Sequence, residues 1–198
     1  KLRPPTLDVS MQGPPLQGRV SIEITNPQVN PRFVLGLIEG IEIKSSPYQI
    51  QRRLRLAGMR PINNIVDATN YAMLDVGEPL HAFDFEGLEE KRIVVRTASA
   101  GELFTTLDGV ARAMPAETLM ICDGKKPVAL AGIMGGLNSE VEPRTKNILL
   151  ESAYFDPMGI RRTSKKVGLS TEASIRFERG IDPNGALGAA NRAAALMV

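Results

Sequence analysis

An α+β fold, built on a central antiparallel or mixed β-sandwich with flanking helices, follows from three features of the sequence. Short apolar segments separated by tight-turn signals fill the stretch from Lys91 to Ile133, capped helical segments stand outside it, and strand and helix never alternate in a regular βαβ order. With 198 residues, 43% of them hydrophobic and 23% charged, the chain can bury a sizeable core as one large domain or two small intimate ones.

The first segment, RPPTLDVSMQGPPLQG, carries four prolines and two glycines, so residues 1–18 read as an extended linker from a preceding domain. GRVSIEITNP and RFVLGLIEGIEIK are rich in β-branched and alternating residues and are predicted strands, with Gly36 and Gly40 marking a bulge or bend in the second. Ser46-Pro47-Tyr48-Gln49 predicts a capping box with proline at the first helical position; Ile50, Leu54 and Ala57 form an apolar stripe that Gly58 ends. A second helix runs from about Asn64 to Val76 and stops at Gly77 and Pro79. Asp108-Gly109 and Asp123-Gly124 then set LFTTL, VARAM, LMIC and PVALAGI into the hairpins of a meander. NILLESAYF is a further strand, after which Asp156 caps and Pro157 opens a basic helix ended by Gly168. Residues 19–182 are thus the folded module, and the alanine-rich 183–198 read as the start of a helix leading to a next domain.

No run of about 18 apolar residues and no charged-then-apolar leader occurs, so nothing supports a membrane span or secretion. A single cysteine, Cys122, excludes an internal disulfide and fits a reducing cytoplasm. The net charge of +2 is too small to name a nucleic acid as partner. Within IRRTSKK, however, Arg161 and Lys165, and Arg162 and Lys166, lie four apart and share a helix face, suited to phosphates or simply to solvent.

His81 is the only histidine, so with one cysteine the chain cannot build a Cys/His zinc site, and no metal ligands are predicted. It follows a helix carrying Thr69 and Asn70, which point about 100° apart and meet one spot only at a cleft edge or a distorted turn. The chain reversal at Gly77-Glu78-Pro79 can bring His81 alongside them; alternatively His81 is a satisfied core residue, and Thr69 and Asn70 serve the local backbone. In LAGIMGG, Gly132, Gly135 and Gly136 imply positive φ or a close approach by something bulky, but neither GxGxxG nor GxxxxGK[ST] is present, so a phosphate cradle fits poorly. Glu151, after Ile148, Leu149 and Leu150, either points outward by alternation or is held inside at a desolvation cost, where it would need a donor such as a phenolic hydroxyl. In GLSTEASIRFERG, Ser170 or Thr171 caps a helix that Gly180 ends, and Glu172, Arg176, Glu178 and Arg179 can form an ion-pair lattice.

Taken together, SPYQIQRRLRLAGMRPINNIVDATNY, GEPLHAFD, TLDGV, LAGIMGG, LLESAYFDP and IRRTSKKVGLSTEASIRFERGIDP resemble the bacterial phenylalanyl-tRNA synthetase beta subunit over most of the chain, in its central editing module. That resemblance implies two interleaved subdomains with a pocket between them. It also implies hydrolysis of Tyr-tRNA(Phe), with Glu151 recognising the tyrosine hydroxyl, Gly135, Thr171 and Ala173 bordering the pocket, and His81, Thr69 and Asn70 orienting a water or binding the ester. No serine elbow supports a covalent route. The partners it implies are the acceptor end of tRNA(Phe), the alpha subunit of an α2β2 enzyme, and tyrosine as the edited amino acid. ATP and Mg2+ are implied for the parent enzyme, with no cofactor in this part. A noncatalytic tRNA-docking or subunit-bracing module, and a free-standing trans-editing hydrolase, are the alternatives.

Overall fold

The computed structural model describes Leu7 and residues 9–197; residues 1–6 and Asp8 of the predicted linker, and Val198, lie outside the described residues. Strands β1 (Ser21–Ile24) and β2 (Arg32–Ile38) are followed by helices α1 (Tyr48–Leu56) and α2 (Asn64–Val76) and strand β3 (Leu80–Asp84). The meander then supplies β4 (Arg92–Thr97), β5 (Glu102–Thr105), β6 (Ala111–Met114), β7 (Leu119–Cys122), β8 (Pro127–Leu130) and β9 (Met134–Gly135). After β10 (Ile148–Tyr154) come α3 (Pro157–Val167), α4 (Glu172–Phe177) and α5 (Ala186–Met197).

Two larger sheets share these strands out of chain order. One has the order β1-β4-β7-β8-β9, with β1 parallel to β4 and the other pairs antiparallel; the second is the antiparallel trio β2-β10-β3; β5 and β6 form a hairpin. The chain therefore starts in the first sheet, crosses to the second for β2 and β3, returns for β4 and, after the β5–β6 hairpin, for β7 to β9, and crosses again for β10. This is an α+β fold with a mixed sheet, and the interleaving is what joins its two halves.

The main core lies between the sheets, where Ile93, Val95, Met120, Ile121 and Leu130 meet Phe83, Leu149 and Ala153. The opposite face of the trio is covered by helices: Ile65 of α2 clusters with Ala82 and Ile148, while Ala72, Ala190 and Ala193 pack on Leu150. The alanines of α5 let its backbone come close to the sheet, and burying Leu150 contributes about 2 kcal/mol. Strand β10 is thus covered on both faces, and every residue from Ile148 to Ala153 is buried. A strand in that position reads as a continuous apolar run rather than an alternating one.

Local signals explain most boundaries. The Asn63 side chain accepts from the amides of Ile65 and Val66 at 3.0 and 2.9 Å, and Gly77 closes α2 at φ +81°. Asp156 caps α3 through the Gly159 amide at 2.7 Å, and Gly168 ends it at φ +69°. Three expectations are corrected. Ser46 does not cap α1, because its hydroxyl is bonded to the buried Asp67 carboxylate, which also takes the Ile62 amide at 2.7 Å; this ties the start of α1 to α2. Gly36 sits in unbroken register opposite Leu150 and makes no bulge. Of the predicted ion-pair lattice, the described residues contain only the Glu172–Arg176 pair, at 2.8 Å.

Candidate functional site

Strands β3 and β10 pair with Glu151 directly opposite His81. Residues so opposed project on the same face with Cβ atoms about 5 Å apart. That face is the one carrying Phe83 and Leu149 into the core between the sheets, since Ala82, Ile148 and Leu150, one position out of phase, meet the helices. Glu151 therefore points inward, and the lack of a solvent face on β10 is why alternation could not decide its direction.

The pair opens on a cavity of about 70 Å³. Its walls are apolar: Ile121, Ala129 and Leu130 from β7 and β8, Ile133 and Met134 from the glycine-rich loop, and Ala173 and Phe177 from α4. Pro79, Leu80, Gly132 and Gly135 complete it. Ala173 and Phe177 are four apart, so one face of α4 supplies both a small and a large wall residue. Phe177 and Met134 were not singled out in the sequence, although that spacing beside the matched Ala173 is a legible sign of a shared face.

Two buried polar atoms in this cavity have no hydrogen-bond partner, His81 Nε2 and Glu151 Oε2. Glu78 Oε1 and Ser152 Oγ, next to them in the chain, are also unpartnered, so the β3–β10 pair and the turn before it hold most such atoms among the described residues. Orphaned buried polar groups cost about 1–3 kcal/mol each and mark a place where a ligand or a proton is expected. Burial pushes the Glu151 carboxyl up to about 8 and the His81 imidazole down to about 4. Burial and the neighbouring Asp182 raise Glu78 to about 8. At neutral pH the empty pocket thus holds a neutral imidazole facing a largely protonated carboxyl, not an ion pair.

The ring of His81 is held from two sides. Phe83 packs edge-on at 4.5 Å between centroids and 77° between planes. On the other side a Cβ built on Gly135 would stand 2.5 Å from His81 Cε1, 2.9 Å from Nε2 and 3.0 Å from Leu107 Cδ1. Gly132 does need positive φ, at +67°, whereas Gly135 is glycine because of that close approach. Thr171 is the N-cap of α4: its hydroxyl accepts from the Ser174 amide at 3.1 Å and donates to the Ile133 carbonyl at 2.9 Å. It fixes the helix to the glycine loop, and its hydroxyl is spent in doing so.

Thr69 and Asn70 are placed apart from this pair. They lie on α2, which covers the opposite face of the β2-β10-β3 sheet, and the Thr69 hydroxyl donates to the Val66 carbonyl at 2.8 Å. Neither lines the cavity. Arg161, Arg162, Lys165 and Lys166 are exposed on α3, Lys166 paired with Glu117 at 3.0 Å. None of the four lines the cavity either.

Because the chain contains one imidazole, its proton resonance needs no assignment, and an NMR titration of the C2–H signal reports His81 alone. It is expected to move with a midpoint near pH 4 instead of the ordinary 6.5. A midpoint above 6 would mean that the ring is hydrated or paired with an ionised Glu151.

Comparison with known proteins adds the following. The B3/4 domain family model matches residues 29–198. The phenylalanine–tRNA ligase beta subunit of Moorella thermoacetica is 56% identical over 185 residues, covering 93% of this chain and 23% of that protein. The beta subunit of Syntrophus aciditrophicus is 50% identical over 196 residues, covering 99% of this chain and 24% of its own. The chain thus spans about a quarter of the length of the curated relatives it matches. Among solved structures, an N-terminal fragment of the phenylalanyl-tRNA synthetase beta subunit from Pyrococcus horikoshii superposes with a TM-score of 0.51 at 13% identity, over 76% of this chain and 46% of that one. At that identity the likeness is one of fold.

Proposed function

The chain belongs to the B3/4 domain family, and from that membership we propose that it is the editing part of a phenylalanine–tRNA ligase beta subunit, hydrolysing Tyr-tRNA(Phe). The observation that carries this reading is the juxtaposition of Glu151 and His81 across one strand pair, both with unpartnered atoms, in an otherwise apolar cavity. An apolar pocket for phenylalanine rejects an isostere that adds a hydroxyl only about a hundredfold, so a second sieve with the opposite preference is useful. Tyrosine gives Glu151 a phenolic partner, while phenylalanine leaves the buried carboxyl unpaired at about 1–3 kcal/mol, or roughly 5- to 150-fold.

In the hydrolytic step His81 acts by position. An imidazole held near 4 is a weak general base at neutral pH, but a neutral ring can hold the ester, the terminal ribose or the attacking water through Nε2. Thr69 and Asn70, lying under the other face of the sheet, would contribute by supporting β3. Gly135 gives the imidazole its room, and Ala173 leaves space for the aromatic ring of the substrate. No group of three or more His, Cys, Asp or Glu side chains among the described residues could hold a metal ion. ATP and Mg2+ belong, in this reading, to the aminoacylation chemistry of the parent enzyme with its alpha subunit, and no step here passes through them. No helix among the described residues is long and apolar enough to cross a membrane, and a cytoplasmic enzyme acting on the acceptor end of tRNA(Phe) is the setting proposed.

Deacylation of Tyr-tRNA(Phe) and Phe-tRNA(Phe) by the whole enzyme tests this. The wild type is expected to cleave the tyrosyl ester preferentially, Glu151→Ala to erase that preference, and His81→Ala to slow cleavage about tenfold, the value of one lost hydrogen bond. Equal rates across all three proteins would leave a docking or bracing role instead.

A further inference from the structure

The face of α1 turned to solvent carries a charge pattern the pocket does not use. From Lys44 to Arg60 the chain has five cations, Lys44, Arg52, Arg53, Arg55 and Arg60, and no acid. Leu54 is fully buried against the fold, and Tyr48, Arg52 and Arg55, at i, i+4 and i+7, share the opposite side. Tyr48 is 71% and Leu56 75% exposed, values that leave their apolar surfaces uncovered among the described residues. Counter-charges close by are already committed. Asp67 of α2 is buried and bonded to Ser46 and the Ile62 amide, and Asp75 pairs with Arg192 at 2.8 Å. Among the described residues only Lys44 has an acid in reach, Glu42 at 3.9 Å, while Arg53 is turned aside onto the Tyr71 ring.

We infer that this α1 face binds the phosphate backbone of RNA, with Arg52, Arg55 and Arg60 as phosphate contacts and Tyr48 stacking on a sugar or base. Guanidinium forks match phosphate oxygens two at a time, and an exposed aromatic beside them supplies the sequence-tolerant stacking that single-stranded or end segments require. An acidic protein surface would satisfy the charges but gives no role to a solvent-facing tyrosine set within them. The basic face of α3 is the weaker candidate, because Lys166 there is neutralised by Glu117. The inference rests on the editing reading for the identity of the RNA, tRNA(Phe).

The test is equilibrium binding of tRNA(Phe) to the full-length protein as a function of salt, with Arg52→Gln/Arg55→Gln/Arg60→Gln and a charge-preserving Arg→Lys triple. All three side chains are exposed, and glutamine keeps the helix propensity of α1. The neutral triple is expected to weaken binding about tenfold and to lower the slope of log K against log salt by roughly 2, while the lysine triple keeps the slope. An unchanged slope, or a normal slope with impaired association to a protein partner, overturns the proposal. Cleavage of a short tyrosyl-adenosine ester, which lacks the backbone, separates the two readings. If the wild type fails to cleave it yet the tRNA slope falls in the neutral triple, editing fails and the RNA surface stands. If cleavage is normal and the slope is unmoved, the surface fails and editing stands.

Discussion

Replacing Glu151 by glutamine is expected to stabilise the fold by about 3 kcal/mol at pH 7 and by almost nothing at pH 4. The sign follows from the direction of the shift. An acid whose native value is raised from 4.5 to about 8 stays protonated in the folded chain while the unfolded chain ionises, so the native state pays increasingly as pH rises from 4.5 towards 8 and by a constant amount above it. At pH 7 the accumulated penalty is about 3 kcal/mol, taking about 1.4 kcal/mol per pH unit. Glutamine has the same shape and no charge to lose. Urea unfolding of the two proteins from pH 4 to 8 should show midpoints that coincide in acid and separate progressively towards alkali. A separation that is constant with pH would mean that Glu151 titrates as in the unfolded chain, and one in which the glutamine variant loses ground towards alkali would mean that Glu151 is ionised and paired in the native state. On the editing reading proposed above, the same substitution is expected to weaken the selectivity for tyrosine, so that stability and function would change in opposite directions.

His81 contributes with the opposite sign. Its native value lies near 4 against an ordinary 6.5, so the unfolded chain takes the proton first and stability is lost as pH falls between those values. The two neighbours thus oppose each other across the pH range, the carboxyl costing stability on the alkaline side and the imidazole on the acid side. Both costs have one cause, burial of the two side chains in the interior.

What could be read from residues alone was local. The run from Asn64 to Val76 with its stop at Gly77 announced α2, Asp156-Pro157 announced α3, and Asp108-Gly109, with Gly109 at φ +75° and the Asp108 side chain gripping Arg112 at 2.7 Å, announced the β5–β6 turn. The long-range steps were not written in any window of sequence. The parallel pairing of Ser21–Ile24 with residues some 70 positions later, and the three passages between sheets, depend on packing across the whole chain. Within the site, family likeness supplied Glu151 and His81. That they stand directly opposite each other is set by the register of β3 on β10, which a one-residue slip would have destroyed. Thr69 and Asn70 show the reverse case. Their nearness to His81 in sequence suggested a shared cleft, but a sheet only one residue thick separates a helix on one face from a side chain on the other.

Gly135→Ala is expected to lower deacylation of the tyrosyl ester about tenfold, the loss expected of His81→Ala, while costing about 1–3 kcal/mol of stability, the usual range for overpacking. The backbone at Gly135 tolerates alanine, since its φ is not positive, so the effect is carried by the methyl group alone. That methyl would arrive 2.5 Å from His81 Cε1, and the imidazole cannot withdraw because Phe83 stands edge-on to it at 4.5 Å. Ring rotation away from the cavity would remove Nε2 from the place where the proposed reaction holds an ester or water, and a displacement of about 1 Å is enough for such a loss. In the 198-residue chain, whose one histidine is His81, the imidazole resonance should shift on Gly135→Ala, which ties the loss of activity in the whole enzyme to that residue. A cycle with His81→Ala makes the point sharper. Once the ring is gone, Gly135→Ala should cost little further activity, because both changes act through the same atom. Gly136→Ala provides the contrast, since a Cβ there meets Phe104 and the Val128 carbonyl at 2.7 Å and damages the sheet instead. Full activity in Gly135→Ala, or additive losses in the cycle, would show that the imidazole is not where the ester is held.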